Sequence, residues 1–436
     1  MRSQTQKTRH SRSTPSASDE DGCTCVPYSD DAHKTGNDAV WNRQARSSHS
    51  THPLVPWWDD LTPSILAGLS LPAFDTQPVT SADIVVIGGG VAGLSAALSA
   101  RQAGANVLLL EREAMLGYGA TGRNAGILSA GVNMSLTDLD PNSEAAAFWP
   151  ATTQVMLSLV QEAQNVDSIL SARLTGALSL AESASAAYRL IREVQAREVV
   201  GSRAELWTRS QVEEYTQGRL DTSSVVMALW LPDEGRINPL TLLAHLARQA
   251  RAAGVHMLGQ AQVSNMQEMT AGESNRYWQM TLASGTTIKT RGLIQAVGPT
   301  TQANARIYAL SFAVDLPDNF PLFWDASPYT YADYRPGNGR LNVSGGRYGK
   351  AGITRHDASY LQRLAQGTRR WLPELAGQEP LFQWAVDLDV AADMLPNLRP
   401  VGEQTPGVAI EGLGALGVLP GIVLGQRAGQ QVVAQM

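Results

Sequence analysis

The alternation of apolar and polar positions divides the chain into stretches of different character. Residues 1–52 are Ser/Thr-rich, mixed in charge and almost without apolar clusters. Ordering such a segment could not offset the lost backbone entropy, so a disordered tail is expected. Residues 53–80 differ, because Trp57, Trp58, Leu61, Ile65, Leu66, Leu69, Leu71 and Phe74 carry enough apolar area to dock as a lid or brace. Next come two continuous apolar runs, Ile84-Val85-Val86-Ile87 and residues 107–110, separated by a helical stretch over 91–103. Continuous rather than alternating runs mark strands covered on both faces, as in a parallel sheet.

Further on, helical periodicity returns over 143–164 and 183–199, with a short strand at 177–181 between them. Asn238 is placed as an N-cap, Pro239 as the first helical residue and Gly254 as the stop of a helix over 240–253. Strands follow at 255–258 and 261–263, then a hairpin over 282–290 around Ser284-Gly285. From 310 to 346, aromatic and β-branched runs alternate with turns such as Pro336-Gly337-Asn338-Gly339, the pattern of an antiparallel sheet. A helix over 357–372 is capped by Asp357 and ended by Pro373. No internal repeat is present.

Between the two apolar runs lies Gly88-Gly89-Gly90-Val91-Ala92-Gly93, and Glu111 follows the second. Only a residue without a side chain lets the chain turn sharply at Gly88, lets a pyrophosphate approach at Gly90 and lets helix pack on strand at Gly93. The helix points its N-terminal amides at the phosphates. Glu111, about twenty residues on, stands where a carboxylate accepts hydrogen bonds from ribose hydroxyls. Glycines alone are weak evidence; strand, glycines, helix, strand and acid in register define a dinucleotide cradle.

A second small-residue loop, Gly117-Tyr118-Gly119-Ala120-Thr121-Gly122-Arg123-Asn124-Ala125-Gly126, decides which dinucleotide. Here the sequence resembles the D-amino acid oxidase-like FAD enzymes, most closely the glycine oxidase and gamma-glutamylputrescine oxidase branches, whose loop at this distance passes under the flavin. Thr121 replaces the usual serine and keeps the hydroxyl. Ile237-Asn238-Pro239-Leu240, the run from Gly292 to Pro299, the turn from Asp393 to Gly402, and Gly412-Leu413-Gly414-Ala415-Leu416-Gly417-Val418 resemble the family's later motifs. The resemblance covers the chain from about residue 53 to its end. It implies an α/β fold: a Rossmann-like FAD-binding lobe of the GR2 type and a second substrate lobe built on an antiparallel sheet. The FAD lobe is expected over 81–142 with 235–299 and 386–436, and the substrate lobe over 143–234 with 300–385.

The resemblance assigns FAD binding to Gly88, Gly90, Gly93, Glu111, Arg112, Thr121, Arg123, Asn124, Gly126, Val263, Gly298, Gly414, Gly417 and Val418. The terminal glycine loop and a helix from about Gly421 would face the flavin pyrimidine and stabilise negative charge there. Neither the cysteine nor the histidine that some relatives use to tether flavin is present at the matching positions, so non-covalent FAD is expected. The implied activity oxidises the C–N bond of a small amine or amino acid to an imine, by hydride transfer to flavin N5, with oxygen or another acceptor. Arg335 stands where glycine oxidases hold a substrate carboxylate, with Tyr329, Tyr331 and Tyr334 nearby. A second arginine expected after Trp384-Ala385 is missing, and Asp387 and Asp389 stand there instead, which favours a cationic amine. Arg399 could substitute or could only support its turn. His245, His256 and His356 read as structural. Rival readings are an alcohol or hydroxy-acid dehydrogenase of the same fold and a flavoprotein maturation partner.

Composition narrows the picture further. With 436 residues and 43% hydrophobic content the chain can bury a large core. A net charge of −6 without a basic stripe argues against a nucleic-acid partner. No apolar run reaches the length of a membrane span. The amino terminus lacks a secretory h-region, and Asp19-Glu20-Asp21 does not suit a transit peptide, so a cytoplasmic location is expected. Cys23 and Cys25, the two cysteines, read as free thiols in the tail. No metal site is expected.

Overall fold

A computed structural model describes residues 55–436 apart from residue 133 and segments 272–274, 299–302 and 326–330. The expected disordered tail, its two cysteines, Pro299 and Tyr329 lie outside the described residues.

The apolar runs become the centre of the first sheet. Strand Ser81–Ile87 pairs in parallel with Val107–Leu110 on one side and with Thr287–Gln295 on the other. Ile84, Val85 and Val86 are fully buried, and each such side chain contributes roughly 1.5–3 kcal/mol. His256–Leu258 extends the sheet beyond Val107–Leu110, again in parallel. On the far side Thr287–Gln295 forks: its start pairs with the antiparallel hairpin of Asn275–Leu282 and Val263–Ala271, and its end with Gly407–Glu411 in parallel. The hairpin turn falls at residues 283–286, as the Ser284-Gly285 signal predicts. Val263 opens a nine-residue strand rather than closing a short one at 261–263.

Helix Val91–Gln102 runs back over this sheet and packs against the terminal helix Val418–Gln435. The approach is close enough that a Cβ on Gly425 would lie 2.3 Å from the Ala92 carbonyl oxygen, and one on Gly429 would lie 2.6 Å from that of Ala96. The terminal helix starts at Val418, three residues before the Gly421 that the resemblance implied. Helix Pro239–Ala253 is capped as its sequence predicts: Asn238 Oδ1 accepts from Leu240 N at 2.9 Å, and Gly254 takes φ +89°.

The second large sheet has the order Phe382–Leu388, Ala305–Ala313, Arg340–Lys350, Tyr331–Gly337, Leu322–Asp325, Ala177–Ala181, Met227–Leu231, Glu205–Trp207. All neighbours are antiparallel except Leu322–Asp325 with Ala177–Ala181. The edge strand Phe382–Leu388 runs three residues past 385, where the substrate lobe was expected to end. Helix Asp357–Trp371 covers its back, where Tyr334 stacks on Phe323 at 4.1 Å between centroids. Asp357 is not its cap. It is the first helical residue, and its carboxylate is turned toward Arg306 instead. A three-stranded sheet of Ile127–Leu128, Gly235–Arg236 and Arg173–Leu174 joins the loop after the cradle to the middle of the chain. Helix Phe148–Ala163 starts five residues later than its periodicity suggested and packs against the terminal helix.

Candidate FAD and substrate site

A cavity of about 730 Å³ lies between the carboxyl ends of the parallel strands and the face of the second sheet. Its floor is the glycine turn. Gly88 has φ +104°, and a Cβ on Gly93 would sit 1.9 Å from the Gly88 carbonyl oxygen, so turn and helix are in backbone contact. Gly90 caps the helix without a side chain, leaving its N-terminus open to the cavity. Thr121 Oγ1 accepts from Val91 N at 3.2 Å, which ties the second loop to that helix end. Glu111 closes the turn from the other side: Oε2 accepts from Gly89 N at 2.7 Å and Oε1 from Glu113 N at 3.1 Å. Each carboxylate oxygen retains a lone pair for a further donor such as a ribose hydroxyl.

Arg112, Val263 and Gly298 line the same cavity, as do Gly414, Gly417 and Val418 at its other end. Gly93 and Gly126 instead support it from behind; a Cβ on Gly126 would lie 2.2 Å from the Ile237 carbonyl oxygen. Asn124 folds its own loop, donating from Nδ2 to the Thr121 carbonyl at 2.6 Å and accepting from Gly126 N at 2.7 Å. Burial, reinforced by the Arg112 guanidinium, lowers the Arg123 pKa, and its Nε is buried without a hydrogen-bond partner. An orphaned buried cation donor, an open helix end and a glycine floor suit an anionic dinucleotide. The residues lining the cavity include no cysteine and no histidine.

The substrate side is less like its expectation. Arg335 is 2% exposed and does not line the main cavity. It bounds a small adjoining one of about 10 Å³ together with Asn124, Ala125, Ser129 and Ala415. Its Nη2 donates to Ser344 Oγ at 3.3 Å, and Ser344 does line the main cavity. Tyr334 does not flank Arg335. Adjacent strand residues point to opposite faces, and Tyr334 is buried in the core behind. The backbone of Tyr331 pairs with Gly346.

The two aspartates prove to be committed. Asp387 accepts from Arg306 Nη1 at 2.8 Å, and Asp357 takes Nε at 3.0 Å and Nη2 at 2.8 Å of the same guanidinium. Asp389 accepts from Gly412 N at 3.1 Å and so holds the terminal glycine loop. The sequence argument for a cationic substrate therefore loses its basis. Arg399 supports its turn, in a two-pronged pair with Glu411 at 2.9 and 2.7 Å. His245 Nε2 lies 2.5 Å from Glu162 Oε2, between two helices away from the cavity. Arg306, Ala309 and Ser344 escaped notice because nothing local marks them. Only the pairing of Ala305–Ala313 with its neighbours on both sides places them on the cavity wall.

A two-ended dinucleotide cavity roofed by a largely antiparallel sheet defines an FAD-dependent oxidoreductase. A family profile described as FAD dependent oxidoreductase (DAO) matches residues 83–431. The chain belongs to that family. Among solved structures it is similar to glycine oxidase from Geobacillus kaustophilus, with a TM-score of 0.67 and 19% identity over 82% of this chain and 95% of that one. It is about equally similar to L-alpha-glycerophosphate oxidase from Mycoplasma pneumoniae, solved with FAD bound, with a TM-score of 0.66 and 15% identity over 82% and 95%. At these identities the likeness speaks for the fold. Gamma-glutamylputrescine oxidoreductase of Escherichia coli is 44% identical over 68 residues, 15% of this chain and 15% of the relative. The chain spans less than half the length of the curated relatives it matches. Among the described residues no helix is long and apolar enough to cross a membrane.

Proposed function

We propose that this enzyme oxidises the C–N bond of a small amine or amino acid to an imine. Bound FAD supplies the hydride acceptor, N5 of its ring. Oxygen or another acceptor is needed to close the cycle. Ala309, Ile307, Ala385, Val386 and Leu388 give the substrate side a mainly apolar lining in which Arg306 and Asp387 neutralise one another and Asp389 is bonded to Gly412 N. Such a lining disfavours an ammonium and so favours the neutral amine that hydride loss requires. Ser344 and, behind it, Arg335 offer one polar anchor at the edge of that lining. The terminal loop at Gly412 to Gly417 and the start of the helix at Val418 would hold the ring end of FAD, their backbone amides offering donors to negative charge there.

The observation that carries this reading over an alcohol phosphate is the state of the arginines. A phosphate needs several uncommitted cations, yet of the arginines lining the cavity Arg112 and Arg123 fall to the dinucleotide, Arg306 is held by Asp357 and Asp387, and Arg399 by Glu411. An amine with one carboxylate needs a single anchor. The test is anaerobic bleaching of the purified yellow protein by a panel of amines, amino acids, N-methyl amino acids and glycerol phosphates. Bleaching by an amine or amino acid is expected, and bleaching by glycerol phosphates alone would overturn the reading. Arg335→Ala is expected to raise the substrate dissociation constant by about 10- to 100-fold, the worth of a charged hydrogen bond, with FAD retained.

A further inference from the structure

The lead-in at residues 55–60 belongs to neither large sheet, yet it is bonded to both sides of the cavity. Toward the cofactor side, Trp57 Nε1 donates to the Asn124 carbonyl at 2.8 Å, and the Trp57 carbonyl accepts from Asn238 Nδ2 at 3.2 Å. The indole lies so near the loop that a Cβ on Gly126 would be 3.1 Å from it. Trp57 and Trp58 are both 7% exposed, and Trp58 packs on Tyr118 of the same loop at 5.5 Å between centroids.

Toward the substrate side, Arg340 Nη1 donates to the Pro56 carbonyl at 3.2 Å and to Asp60 Oδ1 at 3.3 Å. Its Nη2 lies 3.5 Å from Asp59 Oδ2, and Asn338 Nδ2 donates to Asp60 Oδ2 at 3.1 Å. Asn338 and Arg340 form the turn of the hairpin whose strands carry Arg335 and Ser344. One short 3-10 turn, Pro56–Asp60, thus meets the flavin loop through Trp57 and the substrate hairpin through Pro56 and Asp60.

We propose that this turn is a clamp through which the substrate hairpin tightens the protein's hold on FAD. Trp57 is the positioning residue for the flavin loop, and the pairing of Asp60 with Asn338 and Arg340 is the latch. The Asn124 side chain closes the loop on itself, so the outward carbonyl needs a donor from elsewhere, and Trp57 provides it. Trp384, on the substrate sheet, takes the preceding carbonyl, that of Arg123, at 2.9 Å. The loop is therefore gripped by two indoles, one of which is held in place by the latch. Asp60 does not line the cavity, so it acts on FAD only through what it holds, and the double variant below separates the route through the turn from one through the hairpin. The proposal needs only that FAD is the cofactor, and stands apart from the choice of an amine substrate.

The test measures the FAD dissociation constant by recovery of free-flavin fluorescence on dilution of the full-length protein. Trp57→Phe, which keeps the ring and removes the donor, is expected to weaken FAD about 10-fold. Asp60→Asn is expected to weaken it about 3-fold, the scale of a partly exposed charge contact. In the double variant the two losses should combine to less than their product, because without the Trp57 bond the latch has nothing to transmit. An unchanged constant in Asp60→Asn, or losses that multiply, would overturn the clamp and leave Trp384 as the grip from the substrate side. Asp60→Asn is conservative and half-buried, so it reads the latch even if Trp57→Phe does not fold.

Discussion

The two walls of the cavity are built by different physics. On the cradle side, position is set by backbone touching backbone: Gly93 against Gly88, and Gly122 against Gly117, where an added Cβ would lie 1.9 Å from a carbonyl oxygen in each case. On the sheet side, position is set by strands from distant parts of the chain lying side by side, with Arg306 opposite Asp387 and Ser344 opposite Ala309. At those two contacts the first wall has no room for a methyl group. The second presents side chains on strands whose backbone pairing does not depend on them, so they can be exchanged while the backbone stays in place.

Three substitutions test that contrast, beginning with the strongest. Gly93→Ala drives a methyl group into the Gly88 carbonyl and should cost about 3 kcal/mol or more, hence a loss of FAD affinity beyond about 100-fold. The ratio of flavin to protein absorbance after purification reads this directly; near-normal flavin content would break the claim that backbone contact sets the cradle.

The seam between the walls contains Glu234, 2% exposed, whose Oε1 accepts from Ala130 N at 3.3 Å with Arg197 Nη1 3.6 Å away. Burial, only partly opposed by Arg197, raises its pKa from 4.5 to about 7. A raised value means the folded protein favours the neutral acid. Its contribution to stability is therefore full below about pH 4.5 and declines as pH rises toward 7. Relative to Glu234→Gln, the unfolding free energy of the unmodified protein should fall by up to about 3 kcal/mol across that window. Denaturation curves of both proteins at several pH values provide the check, and parallel pH profiles would remove Glu234 from the account.

The smallest effect is expected on the sheet wall. Ser344→Ala removes the hydroxyl that accepts from Arg335 and should weaken substrate binding by about 3- to 10-fold without changing flavin content. If FAD is lost instead, the two walls are not separable.

What could be read along the chain follows the same division. The cradle's parts lie within about forty residues, and each obeys a local rule: a buried run for a strand, a glycine for a turn, a cap for a helix. Asn238, Pro239 and Gly254 were legible for the same reason. Arg335 was legible as a residue, but whether it would meet the main cavity was not, because that depends on how the hairpin of residues 331–350 is set against the flavin loop. Asp387 and Asp389 invited a misreading, since their partners, Arg306 and the Gly412 amide, are 81 and 23 residues away.

The sequence by itself thus determined the dinucleotide cradle, its cofactor and the family, because those rest on steric demands that few residue types satisfy. The tertiary structure alone decided which charges cancel, which arginine stands beside the cavity and what the lead-in touches. Those outcomes depend on strand register and on contacts between segments far apart in the chain, and no local pattern encodes a distant partner.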